Sequence, residues 1–212
     1  MNPTIDCNET FEIWLLEDDY RQFETLQRHF LRFPQRISPK QLVRLSTESE
    51  FLARVHRAFV EESVSIPRMV IMDVMLPWAR LGEEPEGVKQ PDEVKTKYGF
   101  TTAGVRCWAA LREAEKKVGA PKTPVVFHTV IRKEEIGYPA KFEDGKTGYV
   151  SKEQPFDQLD AVISGLDEKW DEMNWPETDE QVTENFVNNA RMKRILLEGL
   201  ATPIDDCVPF PA

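Results

Sequence analysis

Glu17, Asp18 and Asp19 close an apolar run at residues 11–16, and Asp73 closes a second one, Met69–Met72. Further along, Thr129 ends the run at 124–129 and Lys152 follows that at 148–151. Carboxylates at two such ends, a hydroxyl at a third and an ammonium at a fourth are groups that can hold a divalent cation beside phosphoryl oxygens. Hard oxygen donors of this kind, leaving room for water and a phosphate, suit Mg²⁺ better than a softer metal. Three carboxylates at one point repel by about 1 to 4 kcal/mol per pair at 4 Å, for effective dielectrics between 80 and 20. A cation has to answer them, and Lys152, a compact charge on a long stem, has the reach.

Those side chains meet only if secondary structure brings them to one edge. The run at 11–16 is nearly all apolar, the pattern of a strand buried on both faces. Phe23, Leu26, Phe30 and Phe33 recur at three- and four-residue steps over residues 20–33, the period of an amphipathic helix, and Pro34 stops it. Residues 41–46 read as a short strand, and Phe51, Leu52, Val55 and Phe59 mark a second helix. After Met69–Met72 come a helix over 102–118, the strand 124–129, a stretch weakened for helix by Gly137 and Pro139, the strand 148–151 and a helix over 156–169. Alternation of this kind predicts an α/β fold with a parallel sheet and helices on both faces. In such a sheet, ligands bind beyond the carboxyl ends of the strands, where strand order reverses.

Composition narrows the classes. The 212 residues suit one domain with an appendage, and 41% hydrophobic content supports a packed core. With 27 Lys and Arg against 37 Asp and Glu, the net charge of −10 disfavours attraction to nucleic acid or to an anionic membrane. No apolar run approaches the roughly 18 residues that span a bilayer, and no secretory signal opens the chain. Cys7, Cys107 and Cys207 lie far apart with no C-x-x-C pair, which fits a reducing cytoplasm.

The chain resembles the response-regulator receiver domain of two-component signalling. The pieces that carry the resemblance are Leu15-Leu16-Glu17-Asp18-Asp19, then Ile71-Met72-Asp73-Val74-Met75-Leu76-Pro77, then Pro124-Val125-Val126-Phe127-His128-Thr129, and Gly148-Tyr149-Val150-Ser151-Lys152. Each is common alone; in this order they are jointly specific. The resemblance implies a flavodoxin-like, doubly wound five-stranded parallel sheet of order 2-1-3-4-5. It further implies that Asp73 is the phosphoacceptor and that Glu17 and Asp18 hold Mg²⁺ directly or through water, with the Met75 backbone carbonyl as a further ligand. Lys152 and Thr129 would bind phosphoryl oxygens, and Thr129 with Tyr149 would form the switch. The implied donor is a histidine kinase or phosphotransfer protein, and output goes through protein contacts to a downstream target.

Each residue also has a plainer use. An acidic run after a strand is a common helix N-cap, a part Asp19 can fill alone. Asp73 can cap a turn, Thr129 is an ordinary strand residue and Lys152 an ordinary surface lysine. His128 points away from the face of Thr129 in a regular strand and reads as structural. His29 and His56 read as helix-face residues, and Trp14 and Trp108 as core.

Four departures from the receiver pattern stand out. The stretch from Asp73 to Thr129 is about twice the ~25 to 30 residues that two loops, a helix and a strand require. The excess, an insertion at about 78–101 rich in Gly, Pro and charge, is either a cover for the pocket or a passive loop. Lys152 is followed by Glu153 and Gln154 before Pro155, a slip of two residues. A regular fourth helix is doubtful over 130–146, which unsettles the usual output face, and Val130 is bulkier than the residue often found after the threonine.

Residues 1–169 thus form the expected receiver-like domain, and 170–212 an acidic extension with nine acids against three bases. Thr178 and Gln181 make a capping-box pattern ahead of Val182, Phe186 and Ala190, predicting one helix that folds back or pairs with a second subunit as a homodimer. Two rival functions remain. One is a phosphorylation-independent pseudo-receiver adaptor. The other is a Mg²⁺-dependent phosphohydrolase, whose expected second acid two residues after a first-strand nucleophile fits Glu17-Asp18-Asp19 badly.

Overall fold

A computed structural model describes residues 11–32, 37–83, 85, 87–95, 99–138, 142, 144–167 and 170. Five short strands, β1 (Ile13–Leu16), β2 (Leu42–Leu45), β3 (Met69–Met72), β4 (Val125–Thr129) and β5 (Thr147–Ser151), make one sheet of order β2-β1-β3-β4-β5. All pairings are parallel. This is the flavodoxin-like order that the resemblance implies. The central strands β1, β3 and β4 are buried at every position, as apolar runs without alternation require.

Helices α1 (Tyr20–Phe30), α2 (Glu48–Phe59), α3 (Ala103–Val118) and α4 (Phe156–Leu166) complete the layers. Asp19 caps α1, its carboxylate accepting from Arg21 N at 2.7 Å and Gln22 N at 3.3 Å. Thr47 does the same for α2, accepting from Glu50 N at 3.2 Å. Gly119 ends α3 at φ 72°, a left-handed position that glycine adopts without Cβ strain. One core cluster runs from Trp14 and Phe51, edge to face at 5.8 Å, through Val70, Met72 and Leu111 to Phe127 and Phe142.

Several boundaries differ from expectation. The α1 helix ends at Phe30, short of residue 33, because the chain tightens there: Leu31 N bonds Gln27 O and Arg32 N bonds His29 O. The last described helix stops at Leu166, where Asp167 turns extended and its carboxylate meets Arg68 Nε at 2.8 Å. Trp108, read as core, is half-buried and packs against the core cluster, its Nε1 donating to Thr147 Oγ1 and its ring edge to face with Phe142. The doubt over a fourth helix is borne out among the described residues of 130–146: they form turns at 133–138, with Gly137 at φ 79°. The helix expected from Thr178, Gln181, Val182, Phe186 and Ala190 lies outside the described residues.

Candidate functional site

Register sets the site. Leu16 pairs with Met72, and both strands stop there, so the next residues, Glu17 and Asp73, emerge side by side at the carboxyl edge. Backbone bonds hold them: Asp73 N donates to Leu16 O at 2.9 Å and Glu17 N to Leu45 O at 2.8 Å. Oxygens of Glu17, Asp18 and Asp73 all lie within 4.8 Å of one another. Glu17 and Asp73 are buried and Asp18 faces solvent.

Lys152 supplies the cation that the carboxylates call for. Its Nζ lies 2.7 Å from Glu17 Oε2 and 2.6 Å from Asp73 Oδ2. The two-residue slip before Pro155 costs it nothing, because the extra residues form a tight turn after β5. Lys152 N bonds Thr129 O at 3.0 Å and Gln154 N bonds Ser151 O at 2.9 Å, which places the lysine before the slip begins. The other Asp73 oxygen, Oδ1, accepts from Val74 N at 2.6 Å and Met75 N at 3.3 Å. Asp73 therefore does cap its own turn, while its second oxygen faces the lysine.

Charge at the pocket is short on the positive side. Burial is the chief cause that raises Glu17 from the ordinary 4.5 to about 7, against the pull of Lys152 and with the help of Asp73. Asp18 is also raised, by partial burial first and by Asp73 next. Burial opposes the Lys152 charge too, yet Glu17 and Asp73 outweigh it and hold the ammonium above its ordinary value. Three hard oxygen donors within 4.8 Å of one another have the donor chemistry for a small divalent ion such as Mg²⁺.

Thr129 is wholly buried at the end of β4, and its Oγ1 accepts from Ile131 N at 3.3 Å. Tyr149, half-buried on β5, donates its hydroxyl to Ile131 O at 2.8 Å. Both expected switch residues thus hold the same peptide segment. Met75 is half-buried in the loop after Asp73. His128 alternates with Thr129 along β4 and packs toward Phe156, ring centres 6.1 Å apart. Burial lowers its pKa to about 4, so it stays neutral near pH 7.

Three supports escaped sequence reasoning. Arg44 Nη2 donates to Asp18 O at 3.0 Å while its guanidinium lies over Tyr20 and Phe23 at 5.1 Å each; a cation within the run QLVRLS was the available signal. Gly104 N donates to Val74 O at 3.0 Å, and a Cβ there would collide with the Asp73 carbonyl oxygen. The insertion separates Gly104 from Asp73 in sequence and hides their proximity. Buried Glu48 pairs with Arg106, two residues with no sequence cue joining them. The described part of the insertion is tied on the α2 and α3 side. Arg80 reaches Glu50 at 2.7 Å, and Leu76 N bonds Phe100 O at 3.2 Å.

No protein-family model matches the chain, and no curated protein matches it. Among solved structures it is similar to the bacteriophytochrome response regulator RtBRR, with 20% identity over 80% of this chain and 82% of that one, TM-score 0.49. It is similar also to the bacteriophytochrome response regulator AtBRR (17% identity, 80% of this chain and 97% of that one, TM-score 0.48). A two-component response regulator from Legionella pneumophila follows at 15% identity, 74% of this chain and 97% of that one, TM-score 0.47. None of the described helices is long and apolar enough to cross a membrane.

Proposed function

We propose that the chain is a receiver-type protein that accepts a phosphoryl group on Asp73 from a histidine kinase or phosphotransfer protein and signals through protein contacts. One observation carries this: the carboxylates at positions 17, 18 and 73 share a pocket with a lysine that bridges two of them. Structural carboxylates are not ordinarily gathered so closely, because their repulsion has to be offset.

In the proposed step an Asp73 oxygen forms a bond to phosphorus while the phosphorus–nitrogen bond of a donor phosphohistidine breaks. The donor imidazole leaves with the electron pair. Bonds from Val74 N and Met75 N fix the plane of the Asp73 carboxylate, leaving Oδ2 toward the cationic end of the pocket. Lys152 exchanges carboxylate for phosphoryl oxygens, and the Thr129 hydroxyl leaves Ile131 N to donate to another. Catalysis here is alignment and charge compensation. Mg²⁺, held by Glu17, Asp18, Asp73 and the Met75 carbonyl, would supply positive charge at the transferring group.

Thr129 and Tyr149, tied to opposite ends of the Ile131 residue, would carry the change outward to an unidentified target. Buried, unpaired Cys107 suits the reducing cytoplasm in which we place the protein. A pseudo-receiver adaptor is the second reading. It is favoured by the turns that stand where receivers carry a fourth helix.

Incubation with a small phosphodonor and Mg²⁺, followed by intact-mass measurement, tests the assignment. The expected result is one phosphate adduct in wild type and none in Asp73→Asn. Wild type without an adduct supports the adaptor.

A further inference from the structure

The loop 74–78 that follows Asp73 is gripped from two sides. The first N–H groups of α2 donate to it, Glu48 N to Pro77 O at 3.0 Å and Ser49 N to Trp78 O at 2.9 Å. At the head of α3, Gly104 N donates to Val74 O at 3.0 Å, and just before that helix Phe100 O accepts from Leu76 N at 3.2 Å. The two grips are joined to each other. Glu48, whose N–H holds the loop, sends a wholly buried carboxylate to Arg106 of α3, at 2.7 Å to Nε and 2.6 Å to Nη2. Arg106 Nη1 also donates to Thr102 Oγ1 at 2.9 Å, tying the fork to the start of its own helix.

A buried ion pair is a poor device for stability alone, because apolar side chains of similar volume often hold two elements together as well or better. What a two-pronged guanidinium bond fixes is distance and angle. Here it fixes the spacing between two helix heads whose N–H groups hold the loop on either side. Glu48 also favours the positive end of α2, but that effect needs no partner on α3.

We propose that Glu48 and Arg106 are positioning residues for the loop after Asp73: their ion pair locks the heads of α2 and α3 and so sets where the Asp73 carboxylate and Met75 carbonyl stand relative to Glu17 and Asp18. The inference rests on Asp73 being the phosphoacceptor. It assigns the pair a duty toward the reaction without contact with the transferring group.

The test uses the full chain with acetyl phosphate and Mg²⁺. Adduct formation is followed by intact mass, Mg²⁺ binding alone by calorimetry, and the melting temperature separately. Glu48→Gln and Arg106→Gln are each expected to slow phosphorylation by about tenfold or more and to weaken Mg²⁺ binding severalfold, since small misplacements of reacting groups are costly. The double variant is expected to be no worse than either single one, as for two halves of one device. Arg106→Lys, which keeps the charge and loses the fork, falls between. The control Glu12→Gln breaks the Arg54 ion pair at the opposite end of β1; it is expected to lower the melting temperature while the folded protein reacts at the wild-type rate. If Glu48→Gln does not fold, Arg106→Lys carries the comparison. Wild-type rates and Mg²⁺ affinity in Arg106→Lys and Glu48→Gln overturn the positioning inference and leave Asp73 as acceptor. Absence of any adduct in wild type overturns the acceptor assignment and the positioning duty with it.

Discussion

The carboxylate edge of β1 and β3 and the connection from β4 to β5 lie on one sheet and are held by different forces. At the first, backbone bonds, ion pairs and a close glycine fix each group individually: Leu16 O holds Asp73 N, Lys152 bridges Glu17 and Asp73, and Gly104 sits against the Asp73 carbonyl. At the second, aromatic packing does the work. Phe142 is buried against Trp108 at 4.7 Å and Phe127 at 4.9 Å, with Tyr138 beside both Phe142 and Tyr149. Arg112 of α3 closes the arrangement, its Nε on Asp144 at 2.7 Å and its Nη1 on Glu115 and Thr123 O. Directional bonds hold chemistry in place, whereas an apolar cluster tolerates any backbone path that fills the same volume. The difference teaches how the carboxylate edge can be fixed group by group while the neighbouring connection, whose described residues form turns, is held by packing.

Breaking the second region is expected to cost most stability and least chemistry. Phe142→Ala removes about 3 to 5 kcal/mol, read by urea unfolding, while the folded fraction phosphorylates at the wild-type rate. Gly104→Ala does the reverse. The added Cβ strikes Asp73 O, so a loss of about 1 to 3 kcal/mol comes with a fall in phosphorylation of up to ~100-fold. Equal chemical losses in the two variants would erase the contrast.

The pH dependence sharpens the description of the carboxylate edge. Glu17 titrates at about 7 when folded against an ordinary 4.5, so the folded chain holds a proton there that the unfolded chain has shed. Its stabilising contribution is fully present below about 4.5 and is lost as pH rises through about 7. A divalent ion needs the deprotonated carboxylate, so Mg²⁺ affinity is expected to climb roughly tenfold between pH 6 and 8, as calorimetry would register, and to flatten in Glu17→Gln. The smallest effect belongs to the proposed switch. Tyr149→Phe loses the bond to Ile131 O, about 1 kcal/mol, and amide exchange over residues 131–138 is expected to quicken while the carboxylate edge keeps its protection.

Much of this was legible along the chain because it depends on local pattern. Apolar runs that end in a carboxylate mark buried strands and their exits, and both Met69–Met72 and the Asp19 cap appear as read. The doubtful helix was visible in Gly137 and Pro139, residues whose backbone preferences act locally. Boundaries were less legible at residues 31–32 and at 167, where hydrogen bonds and the Arg68 contact stand where periodicity extends the helices. Gly104, Arg44 and the Glu48–Arg106 pair were illegible for another reason: each acts on a partner distant in sequence, and two of them, Gly104 and the ion pair, across the insertion.

Residue order alone determined the strand ends that carry Glu17, Asp73, Thr129 and Lys152, because burial of apolar runs and the solvation of charge are properties each segment has by itself. Only the tertiary structure decided that Lys152 spans two carboxylates, that Ile131 is shared by Thr129 and Tyr149, and that Glu48 meets Arg106. Such meetings depend on strand register and helix docking, which are set by the packing of the whole core and by no single stretch of chain.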